Sequence, residues 1–474
     1  MNAVVREQAD DRCSANGPDW VRDAVFYQVF PDRFRNGNMH NDPADVAAWD
    51  DAPTRANFFG GDLEGLIEKL GYLEELGVDA LYLTPIFMAG TNHRYDTHDY
   101  FNIDPKLGDA GMLRELVQDA HARGIRIVLD GVFNHVGDGF WAFRDVLERG
   151  GASPYRDWFV IHDLPLVRDP PNYQTCGGAP YLPKLNIDNP AVREHLLEVG
   201  TYWIERAGID GWRLDVPWKV PLDFWRAFRA RVKQTKPDAY LVGEAWWSWG
   251  ELRLVFDGLM NYRLRARLLD FCVFDSMDAE DLASESALLL EETRGGEMML
   301  NLLGSHDTPR LLTLAGGDES RAALALVALF TYPGTPMLYY GDEVGLEGGD
   351  DPDCRRPMPW NGEAWRKDLR ALVQRLITTR RASLALRRGG WERLLAFNRL
   401  LCFRRFEGPD NAVVVLNAGP AVRDVALELP FGAPDTFEDA LTGRRYAVRD
   451  GHLTLPIADE RSALVLLPGG DDGA

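Results

Sequence analysis

Long apolar runs are missing from this chain of 474 residues. No stretch approaches the roughly 18 consecutive apolar residues that a membrane-spanning helix needs. The amino terminus, MNAVVREQADDRCSANGPDW, also lacks the apolar core of a signal peptide. We therefore expect a cytoplasmic protein that does not enter a membrane.

Cysteine is also scarce, and the 52 Lys and Arg residues are outnumbered by 73 Asp and Glu residues. The five cysteines are scattered, odd in number and without the CxxC or Cys/His spacing of a zinc site, so we expect free thiols in a reducing compartment. The formal net charge of -21 argues against nucleic acid and anionic membrane as partners, because both attract basic surfaces. Neutral or small molecules therefore remain as candidate substrates.

Short apolar, β-branched runs alternate with amphipathic stretches, a pattern that predicts parallel strands joined by helices. The eight candidate strands are AVFYQVF (24–30), DALYLT (79–84), IRIVLD (125–130), GWRLDV (211–216), AYLVGEAW (239–246), GLMNY (258–262), MLNLLGS (299–305) and TPMLYY (335–340). Eight such units indicate the α/β class and a (β/α)8 TIM barrel. In that fold the chemistry lies at the C-terminal ends of the strands.

The remaining segments suggest additions to this barrel. The longest insertion follows the third strand and is rich in Pro, Gly and aromatics, as expected of an excursion over the barrel mouth. After about residue 388, alternating runs with turn signals predict a C-terminal antiparallel β-sandwich domain. We predict an N-terminal tail (1–19), the barrel (20–135 and 191–387), the insertion (136–190), the C-terminal β domain (388–468) and a disordered tail (469–474).

Polar residues fall where a barrel would place its chemistry. Asp130, Asp215, Glu244, His306 and Asp307 lie at or just after the ends of candidate strands. Cleavage of a glycosidic bond needs one ionised carboxylate to attack the anomeric carbon and one protonated carboxyl to release the leaving oxygen. These strand ends could supply both groups.

The stretch GIDGWRLDVPWKV places Arg213 and Asp215 two positions apart, so both side chains point to the same side of the strand. This inward charged pair is either an internal salt bridge or part of a site. In a site, Arg213 would favour the ionised form of Asp215. Apolar walls from Ala245, Trp246 and Trp247 would raise the pKa of Glu244, although Glu244 alone is also compatible with a strand-end cap.

Four ordered motifs, DGVFNH (130–135), GWRLD (211–215), GEAW (243–246) and SHD (305–307), resemble the signatures of the α-amylase superfamily, glycoside hydrolase family 13. The resemblance implies the barrel, the inserted B domain and the C-terminal β domain. It also implies retention of anomeric configuration. The roles that it implies are nucleophile for Asp215, general acid/base for Glu244, transition-state stabiliser for Asp307, partner of the nucleophile for Arg213, and ligands of glucose hydroxyls for His135 and His306.

Three further segments resemble the neopullulanase, cyclomaltodextrinase and maltogenic amylase subgroup. They are LPKLN (182–186), NHRYDTHDYF (92–101) and GDEVGLEGGDDPDCRRPMPW (341–360). The resemblance implies that His93 and Tyr95 line the subsite of the cleaved glucose, with Tyr95 as a stacking platform unless it is a packed core aromatic. Asp351 and Arg355 would hold the next sugar, and Trp246 is a further candidate substrate-binding residue.

Asn and Asp oxygens are closely spaced in the glycine-rich segment DRFRNGNMHND (32–42) and in GGDL (60–63), which suits Ca2+. An Asx-rich turn is the alternative. Similar segments in the subgroup hold calcium, and by that resemblance the predicted ligands of a structural Ca2+ are Asn36, Asn38, Asn41, Asp42, Gly60 and Asp62. A second calcium site, which in many relatives uses a histidine after the nucleophile, is not expected because VPWKV follows here.

Two departures from the subgroup are visible in the sequence. Only about twenty residues precede the first strand, where relatives carry an N-terminal dimerisation domain, so we expect a monomer or a dimer formed through another surface. Relatives read Val-Ala-Asn-Glu after the nucleophile, whereas this chain has VPWK (216–219). Trp218 and Lys219 then either contact sugar or simply pack and face solvent.

The resulting expectation is a retaining α-glucan hydrolase that cleaves α-1,4 bonds of maltooligosaccharides, with cyclodextrins, pullulan and starch as further candidate substrates and no organic cofactor. A glucanotransferase or isomerase on the same scaffold is the alternative, because it would use the same residues. A non-catalytic amylase-like binding subunit is disfavoured, because all three acids are present.

Overall fold

The computed structural model describes residues 17–247, 249–293, 298–430 and 433–469. Eight parallel strands, here β1–β8, form the centre of its larger part, and each coincides with one of the predicted runs. They are β1 (Phe26–Val29), β2 (Ala80–Leu83), β3 (Arg126–Gly131), β4 (Gly211–Leu214), β5 (Tyr240–Gly243), β6 (Gly258–Leu259), β7 (Leu300–Leu302) and β8 (Thr335–Tyr339).

These strands close into a barrel. Neighbours in chain order pair in parallel from β1 to β6 and from β7 to β8. The last strand returns to the first, since Met337 of β8 pairs with Phe26 of β1. A parallel bridge between Met260 and Leu300 links β6 to β7. The predicted TIM barrel is therefore confirmed.

Helices surround the barrel and connect its strands, and most begin at a side-chain cap that satisfies free backbone N–H groups. Asp62, for example, accepts a hydrogen bond from the backbone of Gly65 at 2.7 Å. The α-helices of this part are Trp20–Asp23, Pro31–Phe34, Leu63–Leu76, Ala110–Ala122, Trp141–Arg149, Pro190–Ala207, Leu222–Thr235, Tyr262–Cys272, Ala279–Glu292, Leu311–Leu314, Glu319–Thr331, Lys367–Ala382 and Leu384–Arg388.

The expected strand-helix alternation fails at one place. Between β5 and β6 the described residues contain no α-helix and only the 3-10 turn Leu252–Leu254. The connection from β5 to β6 is fourteen residues long (244–257), which is the length of a long loop. Trp246 and Trp247 therefore lie at the start of a loop at the barrel mouth.

Side-chain alternation along the strands divides the barrel interior into an apolar and a polar layer. Towards the N-terminal ends, the inward positions are apolar, including Phe26 and Val128, which belong to one buried cluster. Two residues further along the same strands, the inward positions are Gln28 and Asp130, both buried. Polar side chains therefore collect at the C-terminal mouth of the barrel.

Two additions flank the mouth. The segment after β3 contains the helix Trp141–Arg149, which the sequence did not predict, followed by the 3-10 turns Gly150–Ala152 and Arg156–Trp158. After β2, the strands Phe87–Ala89 and Thr97–Ile103 form an antiparallel hairpin that was not predicted either. The hairpin turn carries His93 and Tyr95 over the barrel.

The C-terminal part consists of eight antiparallel strands, as predicted. Leu400 and Val415 from one half of the sheet share an apolar cluster with Leu427 and Leu455 from the other half, so the sheet folds over on itself. The strands are Gly390–Phe397, Leu400–Glu407, Asp410–Asn417, Val422–Glu428, Thr436–Asp439, Arg445–Arg449, His452–Ala458 and Ser462–Pro468.

Two of the segments predicted from the sequence are the ends of the chain. The predicted tails, 1–19 and 469–474, lie mostly outside the described residues, as does Cys13. The other four cysteines, Cys176, Cys272, Cys354 and Cys402, are free thiols. In the described parts of the chain, no helix has both the length and the apolar character that a membrane crossing requires.

A buried carboxylate stabilises the end of the barrel opposite the mouth. Asp210 precedes β4, is fully buried and bonds to His121 at 2.7 Å, Lys236 at 2.8 Å and Arg126 at 3.1 Å. Burial alone would raise the pKa of Asp210, but the hydrogen bonds from His121 and Lys236 hold that pKa below the ordinary value. The ionised form is therefore the stabilising one.

We predict that Asp210→Ala lowers the free energy of unfolding by about 3–5 kcal/mol at pH 7, because Lys236, Arg126 and His121 lose their shared buried partner. Urea unfolding followed by circular dichroism measures this loss. Because the folded pKa of Asp210 is lowered, its contribution is present at neutral pH and is lost as the pH falls through that lowered pKa.

Asp238→Ala is the matched control. Asp238 contacts the same Arg126 at 3.3 Å, but its side chain is 52% exposed, so its loss should cost less than about 1 kcal/mol. Equal effects of the two substitutions would contradict the assignment of the stabilising role to the buried carboxylate.

Candidate active site

A single buried guanidinium forms the floor of the barrel mouth. Arg213 of β4 is fully buried, and its Nη1 lies 2.8 Å from Asp215 and 3.1 Å from both carboxylate oxygens of Asp130. Its Nη2 lies 3.2 Å from Glu244. Asp130 and Arg213 are register partners on adjacent strands, which aims both side chains inward. The inward pair read from the sequence is thus one part of a cluster of three acids around one cation.

The carboxylate of Glu244 is held by two further donors. The indole Nε1 of Trp246 donates to Oε1 at 2.6 Å, and the backbone N–H of Val216 donates to Oε2 at 2.9 Å. The expectation that Trp246 is an apolar wall against Glu244 is therefore wrong. The indole turns its polar edge to the carboxylate because its face stacks on Tyr262, at 3.9 Å between ring centroids.

Burial raises the pKa of Asp215 and so favours its protonated form. Desolvation raises its pKa well above the ordinary value, and the negative charges of Glu244 and Asp130 add to this increase, while Arg213 opposes it. The expectation that Arg213 keeps the pKa of Asp215 low is therefore only half right. One guanidinium is shared among three carboxylates, so its attraction does not fully offset the cost of burial.

Asp307 joins the cluster from the end of β7. It lies 3.1 Å from the imidazole of His306 and 3.1 Å from the guanidinium of Arg355. His306 is oriented on both sides, by Gln28 at 2.7 Å on Nδ1 and by the hydroxyl of Tyr95 at 2.6 Å on Nε2. Side chains from three different loops are thereby fixed relative to each other.

The remaining predicted sugar ligands lie on the same side of the mouth. The hydroxyl of Tyr95 donates to Asp130 at 2.9 Å, and Arg355 pairs with Asp351 at 2.9 Å. His93 accepts a hydrogen bond from the backbone of Tyr95 at 3.1 Å. The loops after β2, β7 and β8 therefore form one continuous polar wall.

The histidines at the barrel mouth are neutral. Burial lowers the pKa of His93 and of His135 to about 4 in each case, and burial together with the charge of Arg355 lowers the pKa of His306 well below its ordinary value. Neutral imidazoles offer one donor and one acceptor nitrogen. The site thus presents them as hydrogen-bonding groups rather than as cations.

An open cleft of about 470 Å³ lies above these groups, a volume within the range of small-molecule sites. Its walls include six of the predicted site residues, namely Tyr95, His135, Asp215, Glu244, Trp246 and Asp307. The other residues that line it are Cys176, Leu182, Val216, Trp218 and Trp247. Arg213 lies beneath this cleft.

Sequence reasoning missed several members of the network. Asp130 was noted only as a strand-end acid, yet it also accepts a hydrogen bond from Tyr82 at 2.5 Å. Gln28 was not singled out, although a polar residue inside the apolar run AVFYQVF was a usable signal. Tyr82 carried no comparable signal, because tyrosine is common in core strands.

The predicted metal ligands form a separate cluster beside the barrel mouth. Asp62 accepts hydrogen bonds from the backbone of Asn38 at 2.9 Å and from the side chain of Asn41 at 3.0 Å. Asn36 donates to Asp42 at 2.9 Å. Gly60 has φ +76°, and a Cβ at this position would lie 2.1 Å from the Asp42 carboxylate. The sequence-distant segments 36–42 and 60–62 therefore do meet.

Two observations bear on a cation in this cluster. No group of three or more His, Cys, Asp and Glu side chains suited to a metal is found among the described residues, so charge alone does not define a site. The side-chain oxygens of Asn36 and Asn41, however, are buried without any hydrogen-bond partner. Buried acceptors without partners are costly unless an ion or water meets them, and oxygen donors suit Ca2+. The donor set therefore fits calcium.

Comparison with known proteins gives consistent matches. The family model described as the catalytic domain of alpha amylase matches residues 28–368. A cyclomaltodextrinase from Bacillus sp is 49% identical over 415 residues, which cover 84% of this chain and 73% of that protein. Neopullulanase 2 from Thermoactinomyces vulgaris is 44% identical over 454 residues, covering 93% and 77% of the two chains.

A solved structure is also similar to this chain. The cyclic alpha-maltosyl-(1→6)-maltose hydrolase from Arthrobacter globiformis, in complex with cyclic alpha-maltosyl-(1→6)-maltose, matches with a TM-score of 0.86 and 43% identity. The match covers 95% of this chain and 100% of that chain.

The lowered pKa of His135 predicts acid instability. An unfolded histidine has a pKa near 6.5, so between about pH 6.5 and 4 the unfolded chain takes up a proton that the native chain refuses. Stability is therefore lost as the pH falls through this window, by roughly 2 kcal/mol at pH 5 for His135 alone. In His135→Gln, the loss of unfolding free energy between pH 7 and 5 should shrink by that amount, as measured by urea titration.

His452→Gln serves as the control, because the ring of His452 is exposed in the C-terminal sheet. It should show the same loss between pH 7 and 5 as the unmodified chain. If His135→Gln and the unmodified chain lose stability equally over this range, the neutral state assigned to His135 is incorrect.

Proposed function

The chain belongs to the α-amylase family of glycoside hydrolases, and from this premise we propose that it is a retaining α-glucan hydrolase that cleaves α-1,4 bonds of maltooligosaccharides. The observation that carries the proposal is the convergence of Asp215 and Glu244 on the single buried guanidinium of Arg213, beneath an open cleft. Two carboxyl groups that flank the scissile bond are the minimum that retaining hydrolysis requires.

In the proposed reaction, a carboxylate oxygen of Asp215 attacks the anomeric carbon while Glu244 gives its proton to the glycosidic oxygen. The bond between C1 and that oxygen breaks, and an ester between Asp215 and C1 forms. Glu244, now ionised, takes a proton from water as the water oxygen attacks C1, and the ester breaks to release Asp215. Asp307 stabilises the positive charge that develops on the sugar.

The contacts of Glu244 fix its orientation. Trp246 donates a hydrogen bond to one of its oxygens and the backbone of Val216 donates one to the other, which holds the carboxyl group in place at the cleft. Among the described residues, the carboxylate of Asp215 accepts a side-chain hydrogen bond from Arg213 through one oxygen only, which leaves its second oxygen available for attack.

The polar wall would hold the glucose unit whose bond is cut. Tyr95 supplies a ring face, and His135 and His93 offer neutral hydrogen-bonding nitrogens. His306, whose two nitrogens are engaged by Gln28 and Tyr95, holds the Tyr95 side chain in place. Asp351 and Arg355 lie further out on the same wall and would contact the next sugar.

The relatives suggest the wider substrate range. Their names point to cyclodextrins, pullulan and cyclic maltosyl-maltose, so cyclic and mixed-linkage glucans are candidate substrates beside maltooligosaccharides and starch. A glucanotransferase or isomerase would use the same residues, and the products from maltotriose distinguish it from a hydrolase: longer or isomerised sugars instead of glucose and maltose. We place the enzyme in the cytoplasm, consistent with its free thiols.

Calcium is the proposed structural cofactor. Asn36, Asn38, Asn41, Asp42, Gly60 and Asp62 would hold it, and the buried, unpaired oxygens of Asn36 and Asn41 support this assignment. A bound Ca2+ would fix the loop after β1 to the N-terminus of the helix Leu63–Leu76 and would not take part in bond cleavage.

Asp215→Asn should lower kcat on maltotriose by on the order of 10⁴-fold or more, because the amide cannot form the glycosyl ester. Reducing-end release measures the rate, and proton NMR of the first products should give the α-anomer with the unmodified chain. The variant should remain folded, because it removes one of three carboxylates that compete for Arg213.

Asp238→Asn provides the control, since Asp238 is exposed at the opposite end of the barrel. Its activity should match that of the unmodified chain. Near-normal hydrolysis by Asp215→Asn would sink the mechanism, and β-anomeric first products would contradict retention.

Chelation with EGTA should lower the melting temperature by a few degrees, and added Ca2+ should restore it, because ligand binding stabilises the native state by mass action. Differential scanning calorimetry measures the shift. Asp42→Ala should abolish the response to calcium, since it removes a charged ligand.

Asp50→Ala is the control for Asp42→Ala, because Asp50 is a nearby exposed acid on the same loop. It should keep the response of the unmodified chain. An identical melting temperature with EGTA and with Ca2+ would mean that the Asn-rich cluster is an Asx turn without a cation.

A further inference from the structure

One fully buried arginine near the barrel mouth has no part in the proposed reaction. Arg310 follows Asp307 by three residues and has no exposed surface. Its guanidinium carbon lies 4.3 Å from the ring centroid of Tyr339 and 4.7 Å from that of Tyr340. A buried cation is costly unless its charge and its donors are matched, so the contacts of Arg310 indicate what it holds in place.

The side chain of Arg310 joins separate parts of the chain. Its Nη1 donates to the carbonyl of Tyr340 at 2.6 Å and to the carboxylate of Asp342 at 3.0 Å, and its Nε donates to the carbonyl of Cys354 at 2.9 Å. Its own backbone N–H donates to the carbonyl of Gly348 at 3.0 Å. The turn after β7 is thereby attached to the segment 340–354, which follows β8.

This segment leads directly to the groups that hold Asp307. Arg355 comes next after Cys354, and its Nε donates to the carbonyl of His306 at 2.7 Å. The Nη2 of Arg355 donates to the carboxylate of Asp307 at 3.1 Å. The thiol of Cys354 donates to the carbonyl of His306 at 3.3 Å. Cys354 and Arg355 therefore fix the backbone immediately before Asp307, and Arg355 also fixes its carboxylate.

Asp307 depends on these contacts more than the other two acids depend on theirs. Its side chain is 31% exposed, whereas those of Asp215 and Glu244 are 8% and 7% exposed. Among the described residues, its ion contacts are with Arg355 and His306. Burial keeps His306 neutral, so Arg355 is the cation that orients Asp307. A displacement of Arg355 would thus move the acid with it.

We propose that Arg310 is a positioning residue for the reaction: paired with Asp342, it braces the segment that carries Arg355 against the turn that carries Asp307. The planar guanidinium serves its acceptors at fixed angles, which a lysine ammonium on a flexible stem does not. The inference rests on the proposed hydrolase function and deepens it. Arg310 does not line the cleft, yet it controls how well the charge of the transition state is stabilised.

Asp342 supplies the opposite charge. It is almost completely buried, and its Oδ2 lies beneath Gly304, where an added Cβ would approach it to 3.0 Å. Asp342 therefore packs against the start of the turn that carries the third acid. Burial raises the pKa of Asp342 to about 7, with Arg310 and Arg265 opposing the increase and Glu343 adding to it. Assays at pH 8 therefore test the ionised pair.

Arg310→Lys tests the brace, because lysine keeps a positive charge opposite Asp342 but has no second nitrogen for the carbonyl of Cys354. The probes are maltose and α-1,4-glucosyl isofagomine, a maltose analogue with a basic nitrogen in place of the anomeric carbon. The unmodified chain should bind the analogue more tightly than maltose. In Arg310→Lys this preference should fall at least about tenfold, because the carboxylate of Asp307 no longer faces the charge. Isothermal titration calorimetry at pH 8 gives both dissociation constants.

The ratio of the two affinities separates positioning from a folding defect. A partly unfolded preparation has fewer binding sites, but the affinity ratio of the sites that remain is unchanged. Both probes fill the same positions in the cleft, so any general loss of sugar binding cancels in the ratio. Only the interaction with the charged ring is left.

A double variant tests whether the effect passes through Asp307. With α-maltosyl fluoride as an activated substrate, Arg310→Lys should lower kcat/KM about tenfold in the unmodified chain. In the Asp307→Asn background it should have little further effect, because the charge that it positions is already absent. A role in folding alone would lower the rate by the same factor in both backgrounds. Fluoride release measures the four rates.

Arg380→Lys is the matched control. Arg380 is also buried and donates to backbone carbonyls, including those of Leu386 and Gly334 at 2.7 Å, but at the opposite end of the barrel. Its replacement should lower stability and leave the affinity ratio unchanged. Asp342→Asn keeps a hydrogen-bond acceptor and loses the charge, so it should lower the ratio in the same direction as Arg310→Lys but by a smaller factor.

An unchanged affinity ratio in both Arg310→Lys and Asp342→Asn would overturn the positioning role, as would equal rate factors in the two backgrounds. Equal affinity of the unmodified chain for the two probes would also contradict it. Should Arg310→Lys not fold, the ratio in Asp342→Asn decides alone. If the unmodified chain does not hydrolyse maltotriose, the proposed hydrolase function fails instead.

Discussion

The buried guanidinium of Arg213 is the constraint on which the rest of the site depends. It contacts Asp130, Asp215 and Glu244 from three adjacent strands, all of them almost completely buried. Three carboxylates out of water would repel each other without it, and one cation does not neutralise all three. Burial therefore raises the pKa of Asp130 and of Asp215, and the charge of Arg213 opposes this increase in both carboxyl groups.

The rest of the barrel offsets the cost of burying these charged groups. Its lower interior is filled by apolar side chains such as Phe26 and Val128, and only the top layer is polar. Hydrogen bonds from Tyr82 and Tyr95 help to compensate the burial of Asp130. The stability of the scaffold is supported separately, at the opposite end, by the Asp210 cluster, so the strained electrostatics of the mouth need not contribute to it.

The mouth itself is asymmetric. The loops after β2, β7 and β8 bring neutral histidines, charged groups and Tyr95 together, whereas those after β4 and β5 bring tryptophans. A polar wall is suited to fixing the hydroxyl positions of one bound molecule, whereas an aromatic surface is suited to ring faces and makes little demand on hydroxyl geometry. The loops after β4 and β5 border Glu244, the proposed acid/base, and Val216 and Trp246 of these loops both donate hydrogen bonds to it.

The sequence by itself determined the eight strands, the C-terminal sheet and the three acids, because period-two alternation and ordered motifs are local signals. It did not predict the helix Trp141–Arg149 or the missing helix before β6, since short elements in long connections depend on their packing. Gln28 and Tyr82 belong to the site because strand register places their side chains beside His306 and Asp130. Trp246 donates a hydrogen bond to Glu244 instead of forming an apolar wall, because its ring face stacks on Tyr262. Only the tertiary structure could decide these points: which atoms share one buried cation depends on distances between strands that are far apart in the chain.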